Sequence, residues 1–205
     1  MAPVVDRDVA VPMRDAVVLR AEVFRPAQGG RFPTLVYRTP YDRKHAPEDY
    51  TTVEAAVDRG YAVVVEDVRG RYGSAGEFEP YRNEGKDGYD SIEWAAAQPW
   101  SNGKVGTFGL SYPGAVQWLA AVERPPHLEA MVPAMTFSTA RNFIYSGGMF
   151  DMSWTSWIYE NISADVRVKK GLPGPKTGAE AEEAWARLRP DVERRLPLFD
   201  LPEFR

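Results

Sequence analysis

Gly103-Lys104-Val105-Gly106-Thr107-Phe108-Gly109-Leu110-Ser111-Tyr112-Pro113-Gly114 is the stretch that decides the fold of this chain. A short run of strand formers (Val105, Thr107, Phe108) leads into Gly109, Ser111 and Gly114, and a helix-compatible segment follows from Tyr112 to about Val122. A strand, a sharp turn and a helix with a serine at the apex lift a hydroxyl above the sheet. The next residue's N–H then lies at a helix N-terminus, where partial positive charge gathers. This spacing marks Ser111 as a candidate nucleophile; the competing reading is a serine that caps the helix. The turn departs from Gly-x-Ser-x-Gly, because Pro113 stands at the second glycine position and Gly114 follows. Proline is tolerated there, since the amides of a first helical turn have no intrahelical partner.

Outward from this turn, strand and helix signals alternate. Residues 16–24 alternate apolar and polar side chains and stop at Pro26, which predicts an edge-type strand. Residues 34–37 predict a short buried strand. Thr51-Thr52-Val53-Glu54 has the form of a capping box opening a helix through Asp58, with Gly60 at its end. Residues 61–68 are mostly apolar and β-branched, as in a strand buried on both faces. Residues 87–98 predict a helix, and residues 128–135 a further strand. Such alternation means a mostly parallel α/β sheet.

After Thr136 the pattern changes. Aromatic residues crowd between Phe137 and Tyr159, and Phe150, Trp154, Trp157 and Ile158 fall at helical spacing. Residues 169–178 form a Pro/Gly loop and residues 179–196 are charged and helix-prone. The expected organisation is therefore an α/β core over residues 1–135 and the start of an inserted helical cap over 136–205, with no later strand signal.

Composition narrows the function classes. A net charge of −4 and a pI near 5.4 imply no basic surface for nucleic acid. The absence of cysteine removes disulfides and thiolate catalysis. No run approaches the roughly 18 apolar residues of a membrane span, and the charged first 14 residues do not read as a signal peptide, so a cytoplasmic location is expected. Gly70, Gly73 and Gly76 are spaced three apart and lead into Glu77-Phe78-Glu79-Pro80 rather than a helix. That loop lacks the helix dipole of a phosphate cradle, and no cofactor or metal is expected.

Four stretches carry a resemblance: Arg38-Thr39-Pro40-Tyr41-Asp42; Asp67-Val68-Arg69-Gly70 with Gly73, Ser74 and Gly76; Asp87-Gly88-Tyr89-Asp90 through Ile92, Trp94 and Gln98-Pro99-Trp100; and the Ser111 turn. With them the chain resembles the X-prolyl dipeptidyl-peptidase and cocaine-esterase type of α/β-hydrolase, the CocE/NonD hydrolases. The resemblance implies an α/β-hydrolase fold, here truncated before its last strands. It implies a serine hydrolase acting on a small acyl ester, amide or peptide through an acyl-serine. Gly-x-Ser-Tyr-x-Gly is the family's own form of the turn. Tyr112 would give its backbone N–H to an oxyanion hole, its side chain packing. Tyr41, just past a sheet strand, matches the family's tyrosine whose hydroxyl polarises the substrate carbonyl; the alternative is a core aromatic. Trp154, Trp157 and Phe150 would line an acyl pocket, or simply pack a helix.

The family's members are longer and supply an aspartate and a histidine on late loops. Triad order in this fold is Ser, Asp/Glu, His. His127 starts the strand after the nucleophile helix, at the rim opposite Ser111, and His45 precedes Ser111. The triad is expected to be incomplete in this chain, and a missing C-terminal half would supply the rest. The rival expectation is an inactive product or a non-catalytic binding scaffold.

Overall fold

A computed structural model describes residues 2–46 and 52–194. The chain divides into two compact units, Met1–Ser138 and Thr139–Arg205.

The first unit is built on a six-stranded sheet in the order β1-β2-β4-β3-β5-β6. Its strands are β1 (Val4–Pro12), β2 (Val18–Arg25), β3 (Phe32–Thr39), β4 (Ala62–Asp67), β5 (Ser101–Leu110) and β6 (Leu128–Ala134). The pairs β3/β4, β3/β5 and β5/β6 are parallel, whereas β1/β2 and β2/β4 are antiparallel. Three helices connect the parallel strands: α1 (Thr52–Asp58), α2 (Glu84–Ala96) and α3 (Tyr112–Val122). Every residue of β4 is buried, as expected of a strand covered on both faces. Val63 and Val65 pack with Tyr37, Val53 and Val57 on the α1 side, and Val36 and Val64 with Ile92, Ala95 and Ala120 on the α2/α3 side.

Several expectations are corrected. The strand over residues 18–25 is interior, not an edge, because β1 covers it. The charges of Val4–Pro12 hide that strand in the sequence. They are neutralised across the ladder, Asp6 by Arg25 at 2.5 Å and Arg7 by Glu22 at 3.1 Å. The helix expected from Asp87 starts one turn earlier, at Glu84. Thr51 of the expected capping box lies outside the described residues.

In the second unit, Tyr145–Ser146 and Met149–Phe150 pair as an antiparallel hairpin (β7, β8) around Gly147-Gly148, a turn signal that the aromatic periodicity masked. The unit continues with α4 (Ala140–Ile144, preceding the hairpin), α5 (Ser153–Trp157), a π-helical turn over Ile158–Ile162, α6 (Ser163–Lys170) and α7 (Gly178–Val192). Its core gathers Tyr159, Ala164, Ala181, Trp185 and Val192. No described helix is long and apolar enough to cross a membrane.

Charge is buried at the C-terminal ends of β3 and β4, where Arg38 is in register with Glu66 and Thr39 with Asp67. Arg38 reaches Glu66 Oε1 at 2.7 Å and Glu84 Oε2 at 3.1 Å. Asp67 accepts the Arg43 N–H at 2.7 Å, pairs with the Arg43 guanidinium, and accepts the Gly73 N–H at 3.1 Å. Asp67 therefore holds Arg43. Arg69 instead pairs with Asp87 at 2.6 Å and Asp15 at 2.9 Å.

Burial pushes the Glu66 carboxyl up to about 7, against the opposing pull of Arg38 and Ser91. The Ser91 hydroxyl lies 2.9 Å from Glu66 Oε2 and 2.8 Å from the Asp87 carbonyl oxygen. It has one proton to give, so a protonated Glu66 can donate to Ser91 while Ser91 donates to Asp87.

A carboxyl whose folded pKa lies above its ordinary 4.5 adds stability that is whole below that value and is lost as pH rises through about 7. Glu66→Gln should therefore flatten the fall in unfolding free energy across that window, a difference on the order of 3 kcal/mol, read by urea unfolding as a function of pH. An unchanged pH profile would refute it. Among the described residues no strand covers the outer side of β6, where Val132 and Met135 are 65% and 73% exposed. Such an edge invites self-association. Val132→Lys should reduce light scattering without lowering the melting temperature; equal scattering would contradict this.

Candidate active site

Ser111 lies between β5 and α3 with φ 62° and ψ −120°, and its side chain makes no capping hydrogen bond. The helix-cap reading of this serine therefore fails. Its backbone is tied on both sides: the N–H donates to the Ala134 carbonyl at 3.0 Å, and the carbonyl accepts from Gly114 and Ala115, each at 2.9 Å. The flanking glycines are required by contact. A Cβ on Gly109 would stand 2.4 Å from Pro113 Cβ, and one on Gly114 would stand 2.7 Å from the Ala134 carbonyl oxygen. The turn is thus tight enough to leave the half-buried Ser111 at the rim of the sheet.

Tyr112 is the first residue of α3, and its N–H belongs to the helical turn whose amides have no carbonyl four residues back. Its side chain does more than pack. The buried phenol donates to Glu84 Oε1 at 2.7 Å and accepts the Tyr81 N–H at 3.2 Å. Glu84 is in turn held by Arg38. Burial raises the Glu84 carboxyl and the Tyr112 phenol alike, so the phenol stays a donor. Tyr81 keeps a positive φ of 66° and stacks on Tyr112 with ring centroids 4.5 Å apart.

Tyr41 follows β3 at the rim that carries Ser111. Val36 is in register with Thr107, so Tyr41 lies five residues beyond that pair and Ser111 four. Its N–H is fixed by Thr39 Oγ1 at 3.1 Å. The Tyr81 phenol is pushed up by burial first, then by Tyr41 and Glu84; Tyr41 is thus within electrostatic reach of the ring that stacks on Tyr112.

His127 is not placed as a base for Ser111. The Val105 N–H donates to the His127 carbonyl, so His127 lies just before β6 and alongside Val105 of β5. Six residues of strand from there to Ser111 span about 20 Å. Its Nδ1 pairs with Glu93 at 2.7 Å. His45 is exposed, with Nε2 3.8 Å from Asp42 in the turn after β3.

The three aromatic residues proposed from sequence for an acyl pocket belong to the second unit. Trp154 and Trp157 share α5, with ring centroids 5.4 Å apart, and Trp154 meets Phe143 at 4.7 Å. Phe150 is not on their helix. It lies in β8, against Tyr145 at 5.9 Å. The helical spacing of these aromatics is thus broken by the Gly147-Gly148 turn and the short strand after it.

Sequence reasoning missed Arg38, Glu84 and Gln117 as parts of the site. A signal existed for the first: an arginine and a carboxylate end two neighbouring apolar strands, at Arg38 and Glu66.

Residues 15–199 match the family described as X-Pro dipeptidyl-peptidase (S15 family). The chain is 41% identical over 132 residues to the cocaine esterase of Rhodococcus sp., a match that covers 62% of this chain and 23% of that protein. Among solved structures, a CocE/NonD family hydrolase from Staphylococcus aureus superposes with a TM-score of 0.70 at 31% identity, over 80% of this chain and 34% of that one. An alpha-amino acid ester hydrolase superposes with a TM-score of 0.72 at 27% identity, over 80% of this chain and 30% of that one. The chain thus spans about a quarter to a third of the length of these relatives. With its α/β sheet, the chain belongs to the X-Pro dipeptidyl-peptidase (S15) family of hydrolases.

Proposed function

We propose that this chain carries the nucleophile and oxyanion donors of a serine hydrolase acting on acyl esters or amides, X-Pro peptides among them. The observation that carries the reading is the backbone of Ser111, held at φ 62° with its hydroxyl unused for capping. A serine in a costly conformation whose side chain serves no structural bond is poised for chemistry.

The Ser111 hydroxyl oxygen attacks the substrate carbonyl carbon and gives its proton to a histidine base. The Tyr112 N–H and the Tyr41 hydroxyl stabilise the oxyanion of the tetrahedral intermediate. Collapse expels the alcohol or amine, which takes the proton from the histidine, and leaves an acyl-serine. Water then attacks the acyl carbon by the same route, releasing the acid and restoring Ser111. The aspartate and histidine of the triad come from sequence beyond this chain, and turnover by the chain alone is low. The placement of His127 favours a second reading, a non-catalytic scaffold.

A fluorophosphonate probe separates the two. In the presence of the C-terminal remainder of a family member, Ser111 should be phosphonylated and Ser111→Ala should not. An unlabelled Ser111 under those conditions supports the scaffold. In the labelled system Tyr41→Phe should slow labelling by about 100-fold, the value of one oxyanion donor, with the melting temperature unchanged; an unaltered rate would remove Tyr41 from the site.

A further inference from the structure

Gln117 is a polar side chain in an otherwise apolar stretch of α3, and it is 3% exposed. A buried amide costs free energy unless its hydrogen-bonding capacity is met, and here it is met completely. Nε2 donates to the carbonyl oxygens of Pro113 at 2.9 Å, Val132 at 3.2 Å and Gly109 at 3.3 Å. Oε1 accepts from Thr107 Oγ1 at 3.0 Å and from the Val132 N–H at 3.1 Å. These partners fix the amide's orientation, since the opposite one would set oxygen against three carbonyls.

The partners are distributed around Ser111. Gly109 lies two residues before it and Pro113 two residues after it. Val132 lies two residues before Ala134, whose carbonyl receives the Ser111 N–H. One amide therefore joins the strand entering the turn, the helix leaving it and the neighbouring strand to which the serine is anchored. A leucine or methionine would fill similar space without needing five hydrogen-bonding partners, so filling that space does not by itself require a glutamine.

We infer that Gln117 is a positioning residue that holds the Ser111 turn in its strained conformation. Its consequence for chemistry rests on the reading of Ser111 as nucleophile; the positioning itself does not. Without the amide, the Ser111 backbone opens locally while the sheet core stays closed.

The test is amide hydrogen exchange by NMR on the full chain, comparing Ser111, Gly114 and Ala115 with the core amides of Val64 and Ile92. In Gln117→Leu the turn amides should lose protection by about tenfold more than the core amides do. Equal losses at both places would reduce Gln117 to general stability and overturn the inference. Should the leucine variant not fold, Gln117→Glu serves, because it keeps the shape and the acceptor. Its carboxyl, buried among three carbonyl oxygens, titrates above the ordinary range and donates one hydrogen bond while protonated. Turn protection in that variant, corrected for intrinsic exchange, should fall as pH rises and recover as pH is lowered; a pH-independent turn would overturn the inference. Fluorophosphonate labelling of the same proteins reports on the nucleophile separately. An unlabelled wild-type Ser111 would sink the chemical reading and leave the exchange result to decide the positioning.

Discussion

Holding an L-amino acid other than glycine in a sparsely populated backbone region costs on the order of 1–3 kcal/mol. Ser111 keeps such a backbone, and the surrounding structure over-determines it. Ala134 fixes its N–H, Gly114 and Ala115 fix its carbonyl, and the amide of Gln117 binds the residues on either side. The glycines at 109 and 114 are consequences of the same constraint, because a Cβ on Gly109 would strike Pro113 and one on Gly114 would strike the Ala134 carbonyl of β6. The bonds that fix this costly conformation all leave the hydroxyl out, and on that the proposed serine chemistry rests.

A second layer of constraint lies beside the turn. Parallel strands deliver Arg38, Glu66 and Asp67 to one rim of the sheet. Buried charges are costly unless paired, and each of these three is paired. The pairing also organises the loops. Asp67 gathers Arg43 and Gly73, and Glu84 receives the phenol of Tyr112. Tyr112, the residue after Ser111, is therefore anchored through its side chain to a buried ion pair, while its N–H stays at the mouth of the helix. Tyr81, stacked on that phenol, links this network to the neighbourhood of Tyr41.

The turn was legible in the sequence because its chemistry is local: strand formers, glycines and a serine within a dozen residues. The parallel strands were legible from their β-branched runs, as in Ala62–Asp67. β1 was not, because the ion pairs that neutralise Asp6 and Arg7 come from a different strand. The roles of Gln117 and Glu84 were equally hidden. A glutamine in a helix usually faces water, and only the tertiary arrangement shows its amide meeting Gly109, Pro113 and Val132. The aromatic spacing from Phe150 to Trp157 misled because periodicity does not register a two-glycine turn followed by a two-residue strand.

Urea unfolding of Ser111→Gly tests the strained, unengaged serine most directly. Glycine occupies positive φ without steric cost, and the replacement removes no capping bond. The variant should therefore be more stable than the parent by about 1 kcal/mol. A loss of about 0.5–1 kcal/mol, the usual cost of glycine at an ordinary position, would show that Ser111 sits in a relaxed backbone and would contradict the account.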